Sequence, residues 1–222
     1  MPSRMATRSG TAEASPVIAV LVANTKGGCG KTTISTHIAA AFATSGRRTA
    51  LADADRQHSS FQWARLRPGT AAHIAPLDWA SKLTDPPRGT ECLVIDAAAA
   101  MKTKQVLELV KMADMIVVPV LASAFDQATT AAFLGKLNEL KPIRKRGKPV
   151  AVVRNRVRPR THAAARLARF LHAIEHQDLG TLADRTIYND VAAAGLSIFD
   201  LPGKRAENWR QDWAAVLDYV GV

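Results

Sequence analysis

Apolar runs without polar interruption alternate along the chain with stretches whose apolar residues recur every three or four positions. The runs that predict buried strands are residues 17–23, 49–52, 73–77, 93–96, 115–120 and 150–153. The helical patterns are a segment marked by Ile34, Ile38, Ala41 and Phe42, followed by 59–66, 102–113, 126–140, 161–176 and 207–220. Because strands alternate with helices, the pattern predicts an α/β fold in which a doubly wound, mainly parallel sheet carries helices on both faces.

Length and composition indicate the number of domains and the compartment of the protein. With 222 residues, of which 47% are hydrophobic and 5% aromatic, we predict a single domain over 17–222 with one substantial core. Residues 1–16 are rich in Ser, Thr, Ala and Pro and contain no apolar stretch, which predicts a disordered leader and not a signal peptide. The two cysteines predict reduced thiols in a cytoplasmic protein. No apolar run approaches the length that spans a bilayer.

The segment between the first strand and the first helix reads Lys-Gly-Gly-Cys-Gly-Lys-Thr-Thr. Three glycines allow the backbone to curl so that successive N–H groups point at phosphate oxygens. Lys31 can reach the terminal phosphates of a nucleotide, and the hydroxyl of Thr32 can bind Mg²⁺. Thr25 stands where the general motif has a glycine, while Lys26 adds a second cation at the mouth of the loop. We therefore predict a phosphate site made of Lys26, Gly27, Gly28, Cys29, Gly30, Lys31, Thr32 and Thr33.

Carboxylates follow two further strands at the points where these strands end. Asp53 and Asp55 come after the second strand, and Asp96 comes after the apolar residues 93–95. Because ligands bind at the carboxyl ends of strands in doubly wound sheets, these side chains are expected beside the phosphates. Asp96 has the context of a Mg²⁺-binding aspartate, although a carboxylate there also suits the cap of the following helix. The pair Asp53 and Asp55, taken by itself, also fits two solvated turn carboxylates.

The phosphate segment resembles the deviant Walker A motif of the ParA/MinD family of ATPases, in which a signature lysine stands where Lys26 stands. The resemblance extends over nearly all of residues 17–220 and is closest to the small ParA-type, ParF-like partition ATPases. It includes the Val-Pro-Val segment at 118–120, Asp126 and the sequence at 195–199. It implies a P-loop NTPase fold, ATP and Mg²⁺ as cofactors, and a homodimer that forms when nucleotide binds.

The resemblance also assigns roles to individual residues. It implies that Lys26 reaches the ATP of the partner subunit, that Asp53 lies near the metal, and that Asp55 orients the attacking water. The implied catalytic set is Lys26, Lys31 and Asp55, and the implied metal set is Thr32, Asp53 and Asp96. Asn155 matches a position that contacts adenine in relatives, although an ordinary turn asparagine is nearly as well supported.

Two segments depart from the family pattern, and the second departure bears on the expected rate of hydrolysis. Arg56 replaces the proline of the Asp-x-Asp-Pro-Gln segment, which leaves this loop less rigid. After Asp96 the family has Pro-Pro or a Gly-bearing tripeptide, whereas this chain has four alanines at 97–100. We expect slow hydrolysis that a partner protein stimulates.

Positive charge is concentrated in one segment of the chain. The formal net charge is +11, and residues 141–169 contain eleven Lys and Arg residues with no Asp or Glu. Such a segment indicates a polyanion partner, although a charge run is also typical of a solvated surface. We predict contacts to DNA phosphates without base recognition. The predicted contact residues are Lys145, Arg146, Arg158, Arg160, Arg166 and Arg169.

The resemblance and the charge together predict an ATPase whose ATP-dependent dimer binds non-specific DNA on the nucleoid and positions a plasmid, a chromosome region or a protein cargo. A ParB-like or cargo-adaptor protein is expected to stimulate hydrolysis. No membrane partner is expected, because acidic residues occupy the polar side of 207–220 and its apolar stripe suits core packing. That stripe consists of Trp209, Trp213, Val216, Leu217 and Val220. Two alternatives stay open: a MinD-like membrane-associated positioning ATPase, and a slow or non-hydrolysing nucleotide-gated scaffold.

Overall fold

The computed structural model describes residues 17–145 and 147–222. The predictions for the leader 1–16 and for Arg146 therefore lie outside the described residues. Within the described ranges, seven strands form one sheet: β1 Ile18–Val22, β2 Thr49–Asp53, β3 Ile74–Asp78, β4 Cys92–Asp96, β5 Met115–Val120, β6 Val150–Val157 and β7 Gln177–Ala183. Their order in the sheet is β3-β2-β4-β1-β5-β6-β7, and every neighbouring pair is parallel.

Helices lie on both faces of this sheet. They are α1 Lys31–Thr44, α2 Ser59–Leu66, α3 Thr103–Met112, α4 Ala124–Glu139, α5 Lys141–Arg144, α6 His162–His172, α7 Ile187–Ala193, α8 Lys204–Gln211 and α9 Ala214–Val220. On one face α3, α4 and α6 bury apolar side chains that include Val106, Phe133 and Leu167. On the other face α1 and α2 bury Ile38 and Trp63. This arrangement confirms the predicted doubly wound α/β fold.

The interior strands explain why the sequence pattern was so clear. Every residue of β2 and β4 is buried, because helices cover both faces of a parallel sheet and leave no polar side. The register places Asp53, the last residue of β2, opposite Asp96, the last residue of β4. Val22 at the end of β1 also pairs with Asp96. The segment that follows β1 and both carboxylates therefore meet at the carboxyl edge of the sheet.

The two edge strands differ from the interior ones. β3 has five residues with Pro76 at its centre, and Pro has no N–H to offer a further strand. β7 contains polar residues and Gly180, and it buries only Leu179 and Leu182 among its residues. An edge strand with partial burial has no continuous apolar run, so the sequence analysis did not predict β7 or the short helix α7 that follows it.

Three predictions about the C-terminal half of the chain were wrong. The single helix predicted over 207–220 is two helices, since α8 ends at Gln211 and α9 begins at Ala214. The break lies beside Trp213, whose indole N–H donates to the hydroxyl of Tyr188 inside the core. The helix predicted over 161–176 ends at His172, and the basic loop predicted at 141–149 begins with the single turn α5.

The apolar stripe near the C-terminus packs against the core as predicted. Trp213, Val216 and Val220 are fully buried against the face that carries α1. Among the residues that the structure describes, no helix combines the length and the apolar character needed to cross a membrane.

Candidate nucleotide-binding site

The predicted phosphate loop joins β1 to α1 and leads directly into the helix N-terminus. Gly30 immediately precedes α1 with φ 92°, a left-handed conformation that side chains disfavour. A Cβ atom at this position would also lie 2.0 Å from Nδ2 of Asn155. Glycine is therefore required at position 30 for two independent reasons, and the close approach links the loop to β6.

Two buried asparagines brace the phosphate loop at its two ends. Asn155 of β6 donates from Nδ2 to the Cys29 carbonyl over 2.8 Å. Asn24, directly after β1, accepts from the Lys26 backbone N–H over 3.1 Å and donates to the Thr130 hydroxyl over 2.9 Å. The sequence analysis missed the role of Asn24, although a polar residue directly after a buried strand is a signal for it.

The ammonium group of Lys31 lies inside the loop. Its side chain is buried and Nζ donates to the Lys26 carbonyl over 3.0 Å. The Cys29 thiol donates to the same carbonyl over 3.2 Å. Burial raises the pKa of the Cys29 thiol even though Lys31 beside it acts in the opposite direction. The interior of the loop thus holds the Lys31 ammonium beside a neutral thiol, which suits an anionic ligand.

Asp53 and Asp96 form a buried pair of carboxyl groups next to this loop. They are 0% and 2% exposed. Burial and the charge of Asp53 raise the pKa of Asp96 to about 7, while the hydroxyls of Thr32, Ser60 and Ser35 act in the opposite direction. Two neighbouring buried carboxyl groups can both be ionised at neutral pH only with a cation beside them, and oxygen ligands suit Mg²⁺.

The donor set therefore fits a magnesium ion that keeps waters and phosphate oxygens as further ligands. Mg²⁺ is commonly held by one or two carboxylates together with substrate phosphates, and not by an all-protein cage. The described residues contain no cluster of three or more His, Cys, Asp or Glu side chains that could hold a metal.

Asp53 also organises the loop that carries Asp55. Its Oδ1 accepts from the Asp55 backbone N–H and its Oδ2 accepts from the Phe61 backbone N–H, both over 2.9 Å. Asp55 in turn accepts from the Gln57 backbone N–H over 3.0 Å. Asp53 therefore fixes both the Asp55 turn and the start of α2, a role that the sequence analysis did not anticipate.

A cavity of about 440 Å³ lies between the phosphate loop and Asp55. The predicted site residues that line it are Gly27, Gly28, Gly30, Lys31, Thr32, Thr33, Asp55 and Asn155. Lys26 and Cys29 belong to the loop but do not line the cavity, and Asp53 and Asp96 lie buried beside it. A cavity of this size suits a nucleotide.

The far end of the cavity consists of residues that the sequence analysis missed. They are Asp184, Arg185, Tyr188 and Asn189, which line the cavity together with Arg156 of β6. These four residues follow β7, the strand without an apolar run, so no sequence signal placed them near the phosphate loop. Arg156 has φ 52°, and its Nε lies 3.5 Å from Oδ1 of Asp184. The adenine contact predicted for Asn155 stays a prediction, since its amide braces the loop here.

Ion pairs divide the basic segment into two groups. Arg154 pairs with Asp178 over 3.0 Å, and Arg158 pairs with Asp184 over 3.1 Å. These acids come after residue 169, so counting charges within 141–169 could not reveal them. Arg160, Arg166, Arg169 and Lys145 are exposed.

Comparison with known proteins agrees with this geometry. A family model described as the CobQ/CobB/MinD/ParA nucleotide binding domain matches residues 20–198. The maintenance of carboxysome distribution protein A of Gloeobacter kilaueensis is 30% identical over 219 residues, covering 91% of this chain and 92% of that protein. Its namesake in Halothiobacillus neapolitanus is 28% identical over 207 residues, covering 90% and 94%.

Solved structures share the fold at low sequence identity. The ATP complex of a Cyanothece McdA variant has a TM-score of 0.73 at 14% identity, covering 94% of this chain and 98% of that one. A plasmid partition protein of Borrelia burgdorferi bound to AMPPNP has a TM-score of 0.68 at 16% identity, covering 92% and 100%. The Mg-ADP complex of Pyrococcus horikoshii MinD has a TM-score of 0.67 at 13% identity, covering 93% and 96%.

Proposed function

Because the chain belongs to the CobQ/CobB/MinD/ParA family of nucleotide-binding domains, we propose that it is an ATP hydrolase that works with Mg²⁺ and positions a cargo in the cell. The observation that carries this proposal is the cavity where the phosphate loop and Asp55 meet, beside the buried pair Asp53 and Asp96. Two relatives named for maintenance of carboxysome distribution support a protein assembly as the cargo. Residues 17–222 act as a single domain in this proposal.

The side chains around the cavity divide the work of hydrolysis. Lys31 exchanges its bond to the Lys26 carbonyl for the terminal phosphates of ATP. Thr32, Asp53 and Asp96 would hold Mg²⁺, which supplies charge neutralisation at the phosphates when bound. Asp55 orients the attacking water. Lys26, at the mouth of the loop, acts on the nucleotide of a second subunit in an ATP-dependent dimer, where a cation stabilises the transferring phosphoryl group.

The segment after Asp96 accounts for slow hydrolysis in this proposal. The Ala97 backbone N–H donates to the Val22 carbonyl over 3.1 Å, and Ala99 lines the cavity. Methyl side chains provide no polar group that could position water or stabilise charge. A cargo-adaptor or ParB-like protein that completes this side of the cavity would accelerate turnover.

The exposed face of α6 is the proposed DNA surface. Leu167 and Leu171 anchor the helix to the core, so the opposite side faces solvent. Arg166 and Arg169, three positions apart, are exposed on a helix that contains no acidic residue. Arg160 is exposed just before the helix. Charge of one sign suits contacts to DNA phosphates without base recognition, and it places the dimer on the nucleoid.

The first test is DNA binding by the purified protein with ATP, ADP or no nucleotide, at two salt concentrations. The proposal expects salt-sensitive binding with ATP alone, because each phosphate contact releases counterions and only the dimer joins two basic surfaces. Equal binding in all three states would remove the nucleotide gate. Absence of binding in every state would remove DNA as the partner.

Two other functions make different predictions. A MinD-like membrane-associated ATPase would use the C-terminal stripe, but Trp213, Val216 and Val220 are buried in the core. Pelleting with anionic liposomes should therefore leave the protein in the supernatant. A non-hydrolysing scaffold would bind ATP but release no phosphate. A phosphate-release assay followed over hours would distinguish such a scaffold from a slow ATPase.

A further inference from the structure

Helix α2 begins next to the buried carboxyl pair. Its first turn contains Ser59, Ser60 and Phe61, and the Phe61 backbone N–H donates to Oδ2 of Asp53 over 2.9 Å. The preceding loop carries Asp55, whose backbone N–H donates to the other oxygen of Asp53. The start of α2 is thus fixed to the carboxyl edge of the sheet and to the loop that carries the proposed water-orienting group.

Ser60 has a buried hydroxyl with no hydrogen-bond partner. The residue is 0% exposed, and its Oγ reaches no partner among the described residues. A buried hydroxyl without a partner costs free energy, since the bond that it makes to water in the unfolded chain is lost. Native proteins contain few such groups, so each one calls for an explanation.

The surroundings of Ser60 point to the carboxyl pair. Its hydroxyl is one of three that lower the pKa of Asp96 against the effect of burial. The hydroxyl of Ser35 on α1 bonds to Oδ1 of Asp96 over 3.2 Å and to the Lys31 carbonyl over 3.0 Å. Ser60 is therefore a second hydroxyl that acts on Asp96, and it is the one whose buried Oγ completes no hydrogen bond.

We propose that Ser60 is a positioning residue of the magnesium site, whose hydroxyl completes its hydrogen bond to Asp96 when that carboxylate binds the metal. The inference rests on the proposed function, because it assumes that Asp53 and Asp96 hold Mg²⁺. A metal-bound carboxylate is ionised, and it accepts charge-assisted hydrogen bonds from hydroxyl groups. Because Ser60 belongs to α2, this bond connects the metal site to the loop that carries Asp55.

The proposal predicts that Ser60→Ala does not lower the melting temperature of the metal-free protein but weakens its binding of Mg²⁺. Without metal, the variant loses a buried hydroxyl that has no partner, so its melting temperature should equal or exceed that of the wild type. With metal, the variant lacks the hydrogen bond that holds Asp96. Loss of such an outer-shell partner typically weakens metal binding about 10-fold or more.

The experiment is a Mg²⁺ titration at a fixed concentration of AMPPNP, followed by calorimetry and by the shift in melting temperature. We expect Ser60→Ala to need about 10-fold more Mg²⁺ for half-maximal effect, with nucleotide affinity unchanged at saturating Mg²⁺. Gln62→Ala is the control, since Gln62 is exposed on the same helix and does not line the nucleotide cavity. It should titrate like the wild type.

A wild-type Mg²⁺ midpoint in Ser60→Ala would overturn the proposal, whatever its melting temperature. A lower melting temperature without metal, combined with an unchanged midpoint, would assign Ser60 to packing alone. Failure of the proposed function has a different signature. In that case the wild type itself would bind AMPPNP with no dependence on Mg²⁺.

Discussion

Asn155 holds the phosphate loop with its side-chain amide, although the family resemblance assigns it to adenine. Nδ2 donates to the Cys29 carbonyl over 2.8 Å, and Oδ1 accepts from the Arg156 backbone N–H over 3.0 Å. Both ends of the amide are therefore engaged within the protein. Loss of a brace would weaken the binding of every ligand of the loop, whereas loss of a base contact would weaken only nucleotides that carry that base. Affinity measurements can therefore separate the two roles.

Asn155→Ala should weaken the binding of ATP and of inorganic tripolyphosphate by the same factor. We expect a loss of about 10-fold in each affinity, from one buried hydrogen bond of about 1–1.5 kcal/mol. Competition against a fluorescent nucleotide would measure both. Asn189→Ala, at the exposed far end of the cavity, should leave tripolyphosphate binding unchanged. If Asn155→Ala weakened ATP alone, adenine contact would be its main role.

The phosphate loop was predictable because its residues are contiguous. The pattern from Lys26 to Thr33 carries the geometry of the loop within eight neighbouring positions. The groups that support it come from far along the chain, since Asn155 lies 126 positions from its partner Cys29. No local pattern encodes such a pairing, so the sequence identified the loop but not its braces.

At the scale of elements, a buried ion pair ties the end of α2 to the segment before α8. Arg67 pairs with Asp200 over 2.7 Å, with side chains 4% and 5% exposed. Arg67 also donates to the Gly195 carbonyl over 3.1 Å. A Cβ on Gly195 would lie 2.7–2.8 Å from the backbone of Leu66 and Arg67. Burial raises the pKa of Asp200, but hydrogen bonds from Arg67 and Ser197 outweigh it, and the pKa is lowered overall.

Asp200→Ala should destabilise the protein by about 3–5 kcal/mol, because it leaves the Arg67 guanidinium buried without its counter-charge. Urea unfolding would measure the loss. Arg48→Ala is the control, since the Arg48–Glu91 pair is 71% and 39% exposed and such pairs contribute about 0–1 kcal/mol. Equal effects of the two substitutions would show that burial does not set the strength of the Arg67 pair.

A second link between elements passes through His37 of α1. Its ring stacks on Trp213 with centroids 5.0 Å apart and planes inclined by 13°. Nδ1 lies 2.8 Å from the Thr33 carbonyl, and Nε2 accepts from the Ile198 backbone N–H over 3.5 Å. Complete burial lowers the pKa of His37 from 6.5 to about 4. The imidazole is therefore neutral and joins the phosphate-loop helix to the C-terminal segment.

The contribution of His37 to stability should fall as the pH decreases from 6.5 to 4, whereas Asp96, whose pKa is raised to about 7, contributes with the opposite sign in both proteins compared below. In this window the unfolded chain binds a proton at His37 and the folded protein does not, so protonation favours unfolding. The difference between the two pKa values corresponds to about 3 kcal/mol. Urea unfolding at pH 7 and pH 5 would measure the slope, with His37→Gln as the comparison. Identical slopes in both proteins would place the titrating group elsewhere.

The elements differ in how well the sequence predicted them. Interior strands such as β4 are apolar throughout, because both faces of the sheet are covered, and they were predicted closely. β7 lies at an edge and buries only Leu179 and Leu182, on the two sides of Gly180, so it was missed. Helix α7 and the cavity residues Asp184, Arg185, Tyr188 and Asn189 follow this strand, and they were missed with it. A strand is recognised in the sequence by its apolar residues, and these reflect burial. Because burial is weakest at the edge of the sheet, the part of the site that follows the edge strand had no such pattern.

At the scale of the whole molecule, ion pairing narrows the choice of DNA-binding residues. Arg154 pairs with Asp178, and Arg156 and Arg158 share Asp184, whereas α6 has no acidic residue of its own. Its exposed stripe includes Arg166 and Arg169. The positive segment could be located in the sequence. Which of its arginines pair with acids depends on how the chain folds.

Charge reversal on α6 should remove DNA binding and leave ATP binding intact. For Arg166→Glu with Arg169→Glu we expect a loss of affinity of at least about 100-fold at low salt, because attraction to phosphates becomes repulsion. Lys104→Glu with Lys111→Glu makes the same charge change on exposed positions of α3, which also carries Glu108. Filter binding would compare them. Equal losses would mean that net charge, and not the α6 surface, sets the affinity.

The edges of the sheet have a consequence for how the protein behaves at high concentration. Pro76 occupies the centre of the five-residue strand β3, and α9 packs against β7 at the opposite edge. Exposed strand edges are where sheets join from molecule to molecule and grow into aggregates. Because Pro76 leaves no N–H at the centre of the β3 edge, a further strand would lack a ladder hydrogen bond there, and we expect copies crowded together on one surface to separate again as folded units.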